Sequence, residues 1–275
     1  EAARVLAGRG ARVLRGCRAR DKAEQAMQTI RGMVPQADLR FVALDLADLG
    51  SVRDAAAQVL AEERLDLLIN NAGVMVPPKS QTRDGFELQF GVNHLGHFAL
   101  TGLLLPELMA EPGARVVTVS SLAHRFGALR FDDLQAQRSY DAGARYGMSK
   151  LANLMFTFEL HRRLQAAGAD LAALACHPGG ADTELARHVP QLFYSSIRPF
   201  ARMVLNSAAE GALPTLRAAT DPGAVSGEYY GPAGWFEFAR SATKVGTAPQ
   251  ARNHNDAARL WEMSVELTGV EPQFA

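Results

Sequence analysis

Arg115-Val-Val-Thr-Val119, a helically spaced stretch from Arg145 to Ala167, and then Leu171-Ala-Ala-Leu-Ala175 form the part of this sequence that decides its fold. The two short runs are apolar at consecutive positions, and the first is rich in β-branched residues. Each therefore predicts a strand covered on both faces. The helix between them is long enough to return the second strand parallel to the first. The pattern repeats upstream. Leu65-Asp-Leu-Leu-Ile69 predicts a strand, and Phe86 to Met109 a long helix leading to Arg115. Earlier still, Ala11 to Cys17 and Leu39 to Leu44 predict strands. Asp21 to Met33 predicts a helix that stops before Pro35, and Ser51-Val-Arg-Asp54 a capping box opening a helix to Ala61. This alternation implies an α/β, Rossmann-like doubly wound parallel sheet in a single domain over 1–275.

Composition narrows the function classes. The 275 residues carry 29 basic and 29 acidic side chains and are 48% hydrophobic, as in ordinary globular proteins. Without a basic excess no nucleic-acid partner is expected. The longest apolar run, Leu95 to Met109, is interrupted by His97, Thr101, Gly102 and Pro106, so no membrane span is expected. Two cysteines, Cys17 and Cys176, make no disulfide framework, and Glu1-Ala-Ala-Arg4 does not open a signal peptide. A reducing, cytoplasmic setting is the expectation. The seven histidines show no metal-ligand spacing, so no metal is expected and they read as structural or surface residues.

The strongest chemical signal is Tyr146-Gly-Met-Ser-Lys150, near the start of a predicted helix, where positions i and i+4 share a face. A phenol has a pKa of about 10 and is a poor acid–base group at neutral pH. A neighbouring ammonium favours the phenolate, and bringing it near neutrality takes roughly 4 kcal/mol. Ser120-Ser121 ends the strand Arg115–Val119, facing the crevice where such sheets bind ligands. Asn70-Asn71-Ala72-Gly73 ends another strand, with small residues that let a ligand approach the backbone. Asn93 lies in Gly91-Val-Asn-His-Leu-Gly-His-Phe98, and His177-Pro-Gly-Gly-Ala-Asp-Thr183 follows the fifth strand. Beyond it, Asp182 to Asn206 carries Pro190, Pro199, Phe193, Tyr194 and Phe200. This stretch reads as a substrate lid at 182–206.

Taken in order, these motifs resemble the short-chain dehydrogenase/reductase family, and within it the retinol-dehydrogenase-like and WW-domain-oxidoreductase-like branch. The resemblance runs over nearly the whole chain. It implies an NADP(H)-dependent oxidoreductase, with NAD(H) the less favoured cofactor, acting on a hydrophobic alcohol or carbonyl compound. Tyr146 would be the general acid/base, Lys150 would lower its pKa and hold the nicotinamide ribose, and Ser121 would hold the substrate oxygen. Asn93 would keep a helix kink and a water linked to Lys150. Asn71, Ala72 and Gly73 would line the adenosine and ribose region, Asp45 and Leu46 would contact adenine, and Pro178, Gly179, Gly180 and Thr183 would hold the carboxamide. A guanidinium suits a phosphate, and no acid precedes Asp21 at the end of the second family strand. Arg18 therefore reads as the NADP-selecting residue. Leu122, Phe193, Tyr194, Trp235 and Phe236 are the expected substrate-pocket walls.

The resemblance has one gap. The family opens with a strand and a Thr-Gly-x-x-x-Gly-x-Gly turn that binds pyrophosphate at a helix N-terminus. Residues 1–10 match the helix after that turn, and Gly8 and Gly10 the turn before the next strand. The expectation is an N-terminally incomplete domain. The alternative to an enzyme is a non-catalytic relative acting as a binding or scaffold protein. The two long helices offer surfaces through which copies could pair as a homo-oligomer.

Overall fold

The computed structural model describes residues 1–179, 207–234, 237 and 241–274. The predicted alternation is present. Helix α1 (Ala2–Gly8) leads to β1 (Val13–Cys17), α2 (Arg20–Met33), β2 (Leu39–Ala43), α3 (Leu49–Val59) and β3 (Leu67–Asn70). A continuous helical run follows in three parts: α4 (Leu88–Phe90), a π-helical segment (Gly91–Leu95) and α5 (Gly96–Ala110). Next come β4 (Ala114–Val119), a short 3-10 turn (Leu122–Phe126), α6 (Ala142–Ala166) and β5 (Leu171–Cys176). The remainder comprises α7 (Ala208–Thr220), β6 (Tyr229–Pro232), β7 (Ala242–Lys244), a 3-10 turn (Pro249–Arg252) and α8 (His254–Thr268). The substrate lid expected at 182–206 lies outside the described residues.

The strands form two pieces. β1 and β2 pair parallel to each other, while β3-β4-β5-β6-β7 form a second sheet, parallel except for the antiparallel β6–β7 pair. No described strand pairs with the facing edges of β1 and β3. In the larger piece, side chains alternate between two buried faces, as the apolar runs required. Val116 and Ala173 point into a core shared with α3, α5, α6 and α8, and Val117, Leu174 and Cys176 into a second core against α7. β1 and β2 pack with α1 and α2 around a small core of Ala7, Met27, Ile30, Ala37 and Leu39.

Three local expectations need correction. The cap of α3 is Asp48, whose carboxylate accepts from the N–H groups of Gly50 and Ser51; the Ser51 hydroxyl instead accepts the Asp45 N–H at 2.9 Å. Asp48 is the earlier of two good N-cap residues and takes the free amides first. The long helix expected over 86–109 is interrupted at Gly91–Leu95, where the bonding pattern widens by one residue. The sheet is not wholly parallel, because β7 reverses direction. Among the described residues, no helix is long and apolar enough to cross a membrane. The outer side of α6 is covered by α8.

Phe98 sits at the centre of the larger core, fully buried, with its ring 5.8 Å from Phe156 and 5.0 Å from Trp261. Truncating it leaves a cavity that close-packed neighbours fill poorly. Phe98→Ala is expected to lower the unfolding free energy by about 3–5 kcal/mol in urea titration, and Phe98→Leu by clearly less.

Candidate functional site

The site forms where β3, β4 and β5 reach their carboxyl ends. At the end of β3, the Asn70 amide donates to Thr101 Oγ1 at 2.9 Å and the Asn71 N–H turns back to the Ile69 carbonyl at 3.0 Å. The chain then passes close over Asn93. A Cβ on Gly73 would lie 3.0 Å from Asn93 Oδ1 and 3.5 Å from Lys150 Nζ, so glycine is what lets the backbone approach. Asn93 is fully buried in the π-helical segment. Its Oδ1 accepts the Val74 N–H at 2.8 Å, and its Nδ2 donates to the Val74 carbonyl and to Ser149 Oγ, each at 2.9 Å. Ser149 in turn donates to the Tyr146 carbonyl at 2.8 Å. One amide thus links the β3 loop, the kinked helix and α6.

α6 begins at an Asp141 cap, four residues before buried Arg145. Arg145 Nη2 pairs with buried Asp133 Oδ2 at 2.6 Å and also donates to the Ser139 carbonyl at 2.8 Å, which fixes the first turn of α6 against the 131–139 loop. Tyr146 follows, half-buried, with the Ser121 hydroxyl close enough to act on the ionisation of its phenol. Lys150 is buried one turn later, donating to the Val119 carbonyl at 3.1 Å and lying 5.8 Å above the Tyr146 ring centre. Ser120 faces away and donates to the Lys150 carbonyl at 2.7 Å, as a structural partner would.

Burial governs the electrostatics. It draws Lys150 down to about 8 and holds His97, whose Nδ1 donates to the Asn93 carbonyl at 2.9 Å, at about 4. For Tyr146 the expectation was a pKa lowered by Lys150, and the direction is the reverse. Loss of water raises it, and the nearby Ser121 hydroxyl offsets this only in part.

A cavity of about 1480 Å³ gathers most of the expected residues that the structure describes. Ser121, Tyr146 and Lys150 line it beside Asn71, Ala72 and Gly73, with Leu46 to one side and Pro178 and Gly179 to the other. It exceeds an ordinary ligand pocket because it continues between β1 and β3, along Leu14, Gly16, Leu67 and Ile69. Asn93 lies beneath it rather than in its wall. Arg18 and Asp45 lie outside its lining and face each other, Arg18 Nε being 3.9 Å from Asp45 Oδ1. Leu122 is half-buried beside Ser121, outside the lining. Gly180, Thr183, Phe193, Tyr194, Trp235 and Phe236 lie outside the described residues. The lining suits a dinucleotide: strand ends, small residues where a Cβ would intrude, and a buried cation beside a phenol.

Sequence reading missed His97, Ser149 and the Arg145–Asp133 pair. His97 was legible, standing four residues from Asn93 on one helix face and lining the cavity. Asp133 left no signal, because its loop has no periodicity.

Known proteins resemble this chain in sequence and in fold. The family model described as short chain dehydrogenase matches residues 1–191. Retinol dehydrogenase 12 of Homo sapiens is 44% identical over 275 residues, 98% of this chain and 82% of that protein. Retinol dehydrogenase 13 of Homo sapiens is 43% identical over 274 residues, 97% of this chain and 80% of that protein. A solved structure of an uncharacterized protein from Mycobacterium Paratuberculosis superposes with a TM-score of 0.81 at 41% identity, over 99% of this chain and 89% of the other.

The Asn93 bridge carries a stability prediction. Asn93→Leu keeps the branched skeleton but leaves the Val74 N–H and carbonyl and the Ser149 hydroxyl short of a partner. Urea titration is expected to find the variant about 2–3 kcal/mol less stable. An unchanged midpoint would mean that the bridge contributes nothing.

Proposed function

The chain belongs to the short chain dehydrogenase family and is an oxidoreductase, and from that premise we propose that it reduces a hydrophobic aldehyde or ketone with NADPH through Tyr146. The observation that carries this reading is the convergence of Ser121, Tyr146 and Lys150 on one cavity beside Gly73. A bound nicotinamide cofactor supplies or accepts the hydride. Ser121 orients the substrate oxygen, and the Tyr146 phenol gives that oxygen its proton. Burial keeps the phenol protonated, which suits the acid required for reduction. The reverse reaction needs a phenolate, stabilised by the Lys150 ammonium above the ring. Asn71, Ala72, Gly73 and Leu46 serve the nucleotide half, and Pro178 and Gly179 the nicotinamide half. The names of the relatives, retinol dehydrogenases 12 and 13, support an apolar, retinoid-like alcohol or aldehyde as the substrate class.

The NADP preference rests on Arg18. It follows β1 directly, its side chain is 66% exposed, and among the described residues its one acidic contact is the long one to Asp45. A mostly free guanidinium suits a terminal phosphate.

Tyr146→Phe is expected to abolish turnover while nicotinamide fluorescence still reports cofactor binding. In the wild type, the kcat/KM for reduction should be flat near neutrality and fall above about pH 8, as the Lys150 ammonium loses its proton. A variant that turns over like the wild type would end the mechanism. For the cofactor, Arg18→Ala should weaken NADPH binding roughly tenfold and leave NADH binding within about twofold, an energy of one charge-assisted contact. Equal losses for both cofactors would remove Arg18 as the selecting residue.

A further inference from the structure

The turn after β4 is held by a side chain that the mechanism above does not use. His124 is fully buried, three residues after Ser121. The Ser121 carbonyl accepts twice from this one residue, from its backbone N–H at 3.1 Å and from its ring at Nδ1, 2.7 Å away. A carbonyl can only accept, so Nδ1 carries a proton. The other ring nitrogen, Nε2, is 3.2 Å from the Ala248 N–H. A backbone amide can only donate, so Nε2 is bare. The two contacts together permit one state, the neutral Nδ1–H imidazole. They join the Ser121 turn to the segment that starts the second 3-10 turn, where Gln250 adds bonds to the carbonyls of Arg125 and Gly127. The far end of the Ser121 turn presses on α6: a Cβ on Gly127 would lie 2.3 Å from the Gly147 carbonyl, one residue after Tyr146.

We propose that His124 is a positioning residue: as a neutral imidazole it ties the Ser121 turn to Ala248 and so keeps Ser121 aligned with Tyr146. The inference rests on the roles given to Ser121 and Tyr146 above. A proton on Nε2 would oppose the Ala248 N–H and open the tie. The surroundings disfavour that proton. Burial lowers the His124 pKa, and neighbouring Arg125 and His177 add to the effect. The Ser121 carbonyl at Nδ1 opposes it in part, as does Glu237, whose carboxylate is already engaged with Arg125 at 2.6 Å and His177 at 3.0 Å. Tyr229 presents its ring at right angles, 5.5 Å away, and adds no charge. Because the folded state favours the neutral ring, the tie is complete at neutral pH and is lost as pH falls below the ordinary imidazole range.

The test uses the full chain, NADPH and retinaldehyde, with amide hydrogen exchange at Ala248 as a readout independent of turnover. His124→Phe keeps the ring beside Tyr229 and removes both bonds. It is expected to lower kcat roughly tenfold, leave the NADPH Kd within about twofold and speed Ala248 exchange, a misplacement effect rather than a binding one. His124→Gln, which retains a donor and an acceptor, should recover most of both. In the wild type, kcat and the Ala248 protection should fall together as pH drops below the ordinary imidazole range, after correction for intrinsic exchange, whereas His124→Gln shows no such coupled fall. A His124→Phe variant with wild-type kcat, or Ala248 protection indifferent to both substitution and acid, would overturn the proposal. If His124→Phe does not fold, the wild-type acid titration and His124→Gln decide it. A wild type without turnover would count against the functional reading, while Ala248 exchange would still report on the tie.

Discussion

The site depends on the Asn93 side chain more than on any other group. An asparagine amide offers one acceptor and two donor hydrogens, and here it is used on both sides. Both backbone groups of Val74 and the Ser149 hydroxyl bind it, at 2.8–2.9 Å. An α-helix of uniform pitch would aim this side chain differently. The wider turn at Gly91–Leu95 rotates it under the β3 loop, and His97 takes the Asn93 carbonyl through its ring. The consequence reaches α6 through Ser149 and the Tyr146 carbonyl. The wide turn is thus a device for setting Tyr146 relative to the loop at Gly73, held by satisfied hydrogen bonds in a buried place where open ones would be costly.

A second constraint joins the two pieces of sheet. β1 and β2 own a small core and share no strand pairing with β3 among the described residues. What holds them in register with the site is the chain after β2. Leu44 and Leu46 pack into the main core, and a Cβ at Gly96 would come within 2.7 Å of the Leu46 carbonyl. The glycine after the π-helical segment therefore lets α5 rest on the strand-end loop that carries Leu46 into the cavity. Nucleotide side and catalytic side meet through that close contact, which is why positions far apart in the chain line one space.

Strand and helix order was legible because burial on two faces leaves unbroken apolar runs, as in Arg115–Val119 and Leu171–Ala175. The convergence of Ser121, Tyr146 and Lys150 was legible for a related reason: strand ends in such sheets face one crevice, and i, i+4 shares one helix face. The π-helical segment was not, since a single wide turn barely disturbs a 3.6-residue period. β6 and β7 were not, since four and three residues, one of them Gly231 and another Pro232, give no alternation to detect. The Ser207–Glu210 capping box of α7 did stand in the sequence and would have located that helix. Solvation was the least legible property. The motif suggested a phenol made acidic by its lysine, but only a folded interior reveals how much water both groups lose.

That loss explains the division of labour between the two buried cations of α6. Arg145 and Lys150 stand five residues apart, each less than 5% exposed. Arg145 is matched with a carboxylate, Asp133, whose pKa falls to about 2 because backbone N–H groups and the guanidinium outweigh its burial. Its charge is spent within the fold, so it can only hold structure. Lys150 has no carboxylate paired with it among the described residues. It rests on a carbonyl oxygen and on the Tyr146 ring, and burial without compensation draws its pKa to about 8. An ammonium in that condition is still charged at neutral pH, yet its field is not cancelled. It is directed at the cavity, where any negative charge that develops on Tyr146 or on a ligand relieves a cost already present in the folded protein. The unmatched lysine destabilises the resting fold, and by the same arithmetic it favours the charged form of whatever stands beside it.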